Sequence, residues 1–339
     1  MNLESYPPLF RKLLENQTYE VDPFEDAIKP VQDLDPVPVI DFQCLDQLEE
    51  KKKLGEACKD WGLFRLVNHE IPSIFFSQLQ EEVKKLFSLE FETKQDAFND
   101  SPLTYFWGTP ALTSSGAALT RGTQNINWVE GLNIPMCQLS QCQPQQHPVL
   151  ESFRFVLVEY GNRLSRIATT LFKAMTRNLN LNLHRVKSKS YISLPTGTIR
   201  VYRYPQCSNA NINATLGMEV HTDSSVLSIL SQDQAISGLE VLKDDEWLTV
   251  APIPNTLIVN MGDMMQAMSD DEYKSVKHRV KLNKHNERIS IGYFVFPYDD
   301  IVIESSKYKP FTYNDFRAQV EEDIKTFGYK IGLERFHLT

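Results

Sequence analysis

The spacing of apolar positions changes along the chain, and each change predicts a change of element. VPVIDF at 37–42 alternates and is rich in β-branched residues, which predicts a short strand with Pro38 at an edge or a strand start. From about Asp46 to Asp60, Leu48, Leu54 and Ala57 recur at helical spacing among Glu and Lys. LFRLVNHEI at 63–71 reads as a strand. Pro72 and Ser73 open a helix that turns Phe76, Leu79, Val83 and Phe87 inward. The first hundred residues are therefore mixed α/β.

From Asp100 to about Gln146 the chain is polar, glycine-bearing and punctuated by aromatics, which predicts irregular loop with short strands. Pro148 to about Leu181 carries the longest helical pattern, with one face traced by Leu150, Phe153, Val156, Leu157, Tyr160, Leu164, Ile167, Leu171 and Met175. Beyond Ser190 the texture becomes IRVYRYP, VLSIL, LEVL, EWLTVAP, TLIVNMG, KHRVKL and RISIGYFVFP, short apolar or alternating runs separated by Asn, Asp, Gly and Pro. Many close-spaced short strands point to an antiparallel barrel or double-sheet jelly roll. Helix returns at about Asn314 to Phe327. By texture the chain divides into 1–145, with helices, strands and loops, and 146–339, a long helix followed by the strand-rich core and a carboxy-terminal helix. No linker-like stretch separates them.

Composition narrows the function classes. The 339 residues are enough for a large core, and 42% hydrophobic content without a low-complexity bias excludes fibrous and disordered classes. With 35 Lys and Arg against 44 Asp and Glu, the net charge of −9 argues against nucleic acid or an anionic membrane as a general partner. Cys44, Cys58, Cys137, Cys142 and Cys207 are scattered without C-x-x-C pairs, so reduced thiols are expected. The amino terminus has no secretory pattern, and no run approaches the roughly 20 apolar residues of a membrane span. A soluble cytoplasmic protein acting on a small molecule is the expectation.

The candidate chemistry lies in the strand-rich half. His221 and Asp223 form His-x-Asp just before VLSIL, and residues two apart on a strand project to one side. His278, in KHRVKL, would complete two imidazoles and one carboxylate on one face of an octahedron, a donor set that suits non-haem Fe(II) and that zinc would also tolerate. The tripeptide alone is weak evidence. Ten residues beyond His278, Arg288 and Ser290 again share a face, and a guanidinium turned into a barrel requires an anionic partner such as a cosubstrate carboxylate.

With these residues the chain resembles the plant Fe(II)- and 2-oxoglutarate-dependent dioxygenases. WGLFRLVNHEI is similar to the family's amino-terminal signature, IRVYRYP to its cosubstrate strand, GMEVHTDSSVLSILSQD to its first metal strand, and YKSVKHRV with ERISIGYF to its second half. YFWGTPA, NWVEGLNIP, NMGDMMQAMSDDEYKSVKHRV and DFRAQVEEDIKTFGYKIGLERF most resemble gibberellin 2-oxidases acting on C20 gibberellins. The resemblance implies a mixed α/β fold with a double-stranded β-helix (jelly-roll) core flanked by helices. It also implies iron on His221, Asp223 and His278, and 2-oxoglutarate held by Arg288, Ser290 and Tyr204, with dioxygen as oxidant and ascorbate as reductant. The implied reaction is 2-oxidation of a gibberellin, which would inactivate the hormone.

Two positions depart from the family pattern: Tyr202 stands where an asparagine is usual, and Glu70 where a glycine is expected after Asn68-His69. Tyr105, Trp107, Trp128, Leu132 and Phe294 are candidate substrate-pocket residues, with ordinary core packing the competing reading for each. Arg121 or Arg203 is a candidate partner for a substrate carboxylate, against a surface position. His69, His147, His184, His285 and His337 are read as structural or surface histidines. The same chemistry on another gibberellin position or another plant metabolite is the nearest alternative, and a jelly roll that binds metal or a small acid without turnover is the alternative of a different class.

Overall fold

The strand-rich half must bury one apolar face against helices while leaving room for a polar interior. It does so by forming two sheets of unequal size. The computed structural model describes residues 2–15, 35–99, 101–109, 111, 113, 119, 126–139, 148–179, 197–207 and 216–338. In chain order the amino-terminal elements are α1 (Pro8–Glu15), β1 (Val39–Asp41), α2 (Leu48–Glu56), β2 (Leu63–Val67), α3 (Ser73–Phe87), α4 (Phe91–Asn99), β3 (Thr104–Trp107), β4 (Glu130–Pro135), α5 (Met136–Leu139) and α6 (Pro148–Asn178). There follow β5 (Thr198–Tyr204), β6 (Leu216–His221), β7 (Leu227–Ser231), β8 (Leu239–Lys243), β9 (Glu246–Thr249), β10 (Leu257–Met261), α7 (Asp263–Met268), β11 (His278–Lys281) and β12 (Arg288–Val295). The short strands β13 (Val302–Ile303) and β14 (Phe311–Thr312) precede α8 (Tyr313–Phe327).

The larger sheet has eight strands in the order β1-β2-β10-β7-β12-β5-β4-β3, and the smaller has four in the order β6-β11-β8-β9. Pairing is antiparallel except for β1 with β2. The larger sheet draws β1 to β4 from before residue 146, so its hydrogen-bonded ladder continues across the change in sequence texture.

Alternation along the strands assigns the two faces. Ile199 and Val201 on β5, Ile289 and Ile291 on β12, and Ile229 on β7 belong to the main core with Leu157, Tyr160 and Leu164 of α6 and Leu79 and Val83 of α3. Their neighbours Tyr202 and Tyr204 instead pack against Met218 and Val280 of the smaller sheet. One face of the larger sheet is thus covered by helices and the other faces the smaller sheet, the double-sheet jelly roll expected above.

The helices at Ser73–Phe87 and Pro148–Asn178 form where the apolar period calls for them, and α2 ends in a π-helical turn at Ala57–Trp61. Four helices had no counterpart in the pattern analysis: α1, α4, α5 and α7, each of nine residues or fewer and with one to four buried residues. Cys44, Cys58, Cys137 and Cys207 are reduced cysteines outside any disulfide, while Cys142 lies outside the described residues. No helix among the described residues is long and apolar enough to cross a membrane.

Glu70 adopts φ 64°, a left-handed conformation that favours glycine. The side chain is exposed and makes no compensating contact among the hydrogen bonds and ion pairs described. Relieving αL strain of about 1–2 kcal/mol outweighs the roughly 0.4–1 kcal/mol that a glycine costs through the unfolded chain. Glu70→Gly is therefore expected to stabilise by about 0.5–1 kcal/mol, read as a higher urea midpoint at unchanged slope.

Candidate active site

The site is built where the two sheets face one another. His221 ends β6 and His278 begins β11, and the two are direct antiparallel partners, so the ladder itself brings their rings to 4.2 Å between centroids. Asp223 lies just past β6, with Oδ1 at 3.9 Å from His221 Nε2 and 3.7 Å from His278 Nε2. Among the described residues these three form the one group of this kind whose donor atoms all lie within 4.8 Å of each other.

Each donor is held in the state that ligation needs. His221 Nδ1 is 2.8 Å from the Glu219 carbonyl and His278 Nδ1 is 3.1 Å from the Val276 carbonyl. A carbonyl only accepts, so Nδ1 carries a proton in both rings, and in the neutral tautomer this leaves Nε2 as the nitrogen with the lone pair. Burial, and after it the neighbouring His278, pushes the His221 imidazole down to about 3. On Asp223 burial acts upward, but His278, His221 and hydrogen bonds from Ser228 and Asn260 outweigh it and hold the carboxyl below its ordinary range. Ser228 Oγ and Asn260 Nδ2 both donate to Oδ2 at 2.8 Å, which leaves Oδ1 aimed at the imidazoles.

Arg288 and Ser290 extend from β12 into the same cavity, of about 60 Å³. Arg288 is 1% exposed, and its only hydrogen-bond partners among the described residues are uncharged: Ser290 Oγ at 3.4 Å, Gln232 Oε1 at 3.1 Å and the Tyr204 hydroxyl. Its Nε has no hydrogen-bond partner among the described residues. Burial pushes its pKa down, opposed by Tyr204 and Asp233. A guanidinium remains charged in proteins, so this buried cation with an open donor is suited to an anionic ligand. Tyr204 is the direct cross-strand partner of Arg288, and burial pushes its phenol up, keeping it a hydrogen-bond donor. Two neutral imidazoles, one carboxylate and an adjacent arginine form a donor set that could hold Fe(II) and a dicarboxylate together.

A second, outer cleft of about 1370 Å³ meets this chamber, and the two share Tyr202, Met218, His221, Asp223 and Phe294. Of the substrate-pocket candidates, Phe294 lines both. Tyr105, Trp107 and Leu132 do not, and strand pleating is the reason. In β3 and β4, Tyr105 pairs with Leu132 and Trp107 with Glu130, and Leu132 continues to Val201 of β5. All of these belong to the helix-covered face, where Leu132 is fully buried in the main core and the Tyr105 hydroxyl donates to Glu130. The inward residue between them is Phe106, which packs on Tyr202 with ring centroids 6.1 Å apart. Gly131 opposite makes room for it, since a Cβ there would lie 2.6 Å from Phe106 Cζ. Trp128 stacks on Phe10 at 5.1 Å, outside both cavities.

The candidate arginines also separate by face. Arg121 lies outside the described residues. Arg203 is neither on the surface nor in the cleft: it is buried on the helix-covered face, bonded to Glu130 at 2.8 Å and Glu287 at 2.9 Å. Lys94 and Tyr6 complete that cluster on the same two carboxylates. The outer cleft is lined instead by Arg317, which pairs with Asp299, and by Arg200, which sequence reasoning missed although it shares a face with Tyr202 and Tyr204 by period two. Its Nε donates to Asn133 Oδ1 at 2.9 Å, it bonds the Tyr202 phenol, and its guanidinium lies 5.4 Å from the Phe294 ring centre. No carboxylate among the described residues pairs with it. His69 is a buried structural histidine bonded to the Asn255 carbonyl at 3.1 Å, and His337 packs on Tyr308. His147 and His184 lie outside the described residues.

A two-sheet jelly roll with a His-Asp-His face and a buried arginine in one chamber defines a non-haem iron oxygenase, and the chain belongs to the 2OG-Fe(II) oxygenase family. Residues 195–297 match the profile of the 2OG-Fe(II) oxygenase superfamily, and residues 37–151 match that of the non-haem dioxygenase in morphine synthesis N-terminal region. The chain is 33% identical to gibberellin 2-beta-dioxygenase 8 of Arabidopsis thaliana over 97% of this chain and 96% of that one. It is 35% identical to gibberellin 2-beta-dioxygenase 6 of Oryza sativa subsp. japonica over 88% and 84% respectively. A crystal structure of JOX2 in complex with 2OG, Fe and JA is similar with a TM-score of 0.75 and 27% identity, over 97% of both chains. The family requires Fe(II), 2-oxoglutarate and dioxygen, and family membership decides against a jelly roll without turnover.

His221→Ala and His278→Ala are each expected to abolish metal binding, measured by calorimetric titration of the protein with Co(II). Arg288→Lys should weaken 2-oxoglutarate binding about tenfold or more, because an ammonium does not reproduce paired guanidinium donors. Unchanged 2-oxoglutarate affinity in that variant would remove Arg288 from the cosubstrate site.

Proposed function

We propose that this oxygenase hydroxylates a gibberellin, at carbon 2, with His221, Asp223 and His278 holding iron and Arg288, Ser290 and Tyr204 holding 2-oxoglutarate. When bound, iron and 2-oxoglutarate supply the oxidising chemistry, with the cosubstrate leaving as succinate and carbon dioxide. The protein's part is to orient the substrate and keep water from the reacting face.

The observation that carries the substrate reading is Arg200. A cationic side chain at the mouth of the iron chamber, without an acidic partner among the described residues, suits a substrate bearing a carboxylate. Phe294, stacked on the same guanidinium, and Met218 supply apolar surface beside it, as a hydrocarbon skeleton with one acidic end requires. Arg200 would anchor the acid and the apolar wall would orient the ring system toward the metal face. Tyr202, bonded to Arg200 and lining both cavities, would close the space between anchor and iron in place of the family's usual asparagine. The two gibberellin 2-beta-dioxygenases named above support the choice of acid.

The test is incubation of the purified protein with Fe(II), 2-oxoglutarate, ascorbate and a panel of C19 and C20 gibberellins, following succinate and product mass. One added oxygen at carbon 2 of a gibberellin is expected. Oxidation of a different carboxylic acid, with all gibberellins inert, would replace the substrate and leave the mechanism. Arg200→Gln should raise KM for the acidic substrate about tenfold or more while leaving KM for 2-oxoglutarate unchanged.

A further inference from the structure

Asp223 is not on a strand. It lies in the turn between β6 and β7, so its position depends on what holds residues 222–225. One side is held by the chain leaving β10. Asp263 N–H donates to the Asp223 carbonyl at 2.8 Å, Met264 N–H to the Ser225 carbonyl at 3.1 Å, and Gly262 N–H to the Val226 carbonyl at 3.0 Å. The approach is so close that a Cβ on Gly262 would lie 2.0 Å from the Ser225 carbonyl oxygen.

The other side is held from the far end of the sequence. Lys330, just beyond α8 and Gly328, directs its ammonium at three acceptors: the Thr222 carbonyl at 2.7 Å, Ser224 Oγ at 3.1 Å and Asp263 Oδ2 at 2.7 Å. Thr222 Oγ1 also donates to Asp263 Oδ2 at 3.3 Å. An ammonium has three donors and no acceptor, so this side chain is fully used. Asp263 is 3% exposed and the pair is largely shielded from water, which makes removal of one partner costly to the other. The segment that carries Lys330 is itself tied to α8, where Asp323 accepts from Ile331 N–H at 3.3 Å and pairs with Arg335 at 2.9 Å.

We propose that Lys330 is a positioning residue for the metal centre: its ion pair with Asp263 clamps the turn bearing Asp223, so the carboxy-terminal segment completes the iron site. This rests on the ligand assignment above. Tyr329, Lys330 and Ile331 also line the outer cleft together with Thr222 and Asp223, so the substrate wall and the ligand turn are one bonded unit. Lys330 touches no reacting atom; it acts through Thr222, Ser224 and Asp263.

The experiment measures Co(II) affinity of the full chain by calorimetry, with 2-oxoglutarate affinity and the urea midpoint recorded alongside. Lys330→Met keeps an unbranched side chain and removes the charge that lies 5.8 Å from the Phe316 ring centre, and the expected result is a loss of Co(II) affinity of about tenfold or more with 2-oxoglutarate affinity retained. Asp263→Asn, nearly isosteric, carries the same expectation should Lys330→Met fold poorly, and the double variant should lose no more than the larger single loss. Lys325→Met, which removes an exposed lysine of α8 paired to Glu321, should bind Co(II) as the wild type does. Wild-type Co(II) affinity in both Lys330→Met and Asp263→Asn, or an equal loss of 2-oxoglutarate affinity, overturns the proposal. His278→Ala reports on the site itself: Co(II) binding that survives in it overturns the ligand assignment and this inference with it.

Discussion

The pleat of β5 and β12 is the constraint on which the molecule depends. Successive side chains must leave opposite faces of a strand, so each of these two strands carries two programmes at once. Ile199, Val201, Ile289 and Ile291 bind the helix layer, while Arg200, Tyr202, Tyr204, Arg288 and Ser290 line the chambers. The apolar programme anchors the strands in the main core, and that rigid anchoring holds the polar programme in register with the smaller sheet. A functional constellation set on strands in this way is positioned by the same packing that stabilises the fold.

Buried charge is distributed by the same rule. On the helix side, Arg203 and Lys94 meet Glu130 and Glu287, and every cation has a carboxylate. On the chamber side, among the described residues, Arg288 has only uncharged hydrogen-bond partners and an open Nε, and Arg200 has no carboxylate. On the helix side the carboxylates bond the cations directly, whereas on the chamber side Asp233 acts on Arg288 without a hydrogen bond to it among the described residues. That asymmetry separates a structural ion cluster from a site built for anionic ligands. The turn bearing Asp223 combines both principles, since its charged clamp is satisfied internally and its free oxygen faces the two imidazoles.

Much of this was legible in the order of residues. The two long amphipathic helices follow from apolar spacing, and the run of short strands points to an antiparallel barrel or double-sheet jelly roll, of which the folded chain adopts the second. His221 and Asp223 were nominated from residue type and from period two on a strand, but β6 ends at His221 and Asp223 follows in the turn, so the pleat does not set their common direction. His278 was completed by the family resemblance, and Arg288 followed from the need of a buried guanidinium for an anionic partner. The helices and the arginine need only local geometry and the energetics of burial, whereas the complete ligand set rested on the resemblance of whole motifs to the family.

Other features required the folded molecule. Tyr105, Trp107 and Leu132 read as pocket walls by composition, yet the register of β3 on β4 and β4 on β5 turns them to the helix layer and leaves Phe106 inward. Arg200 and Arg203 look alike in IRVYRYP, but lie on opposite faces with opposite fates. Lys330 meets Thr222 across 108 positions of sequence. Face, register and long-range contact are relations between strands, and a one-residue slip exchanges them all. The sequence by itself therefore determined which chemical groups the protein possesses and the periods that build its elements. The tertiary structure decided which of those groups meet, because strand pairing, set by the packing of both faces together, selects one register from several that local spacing permits.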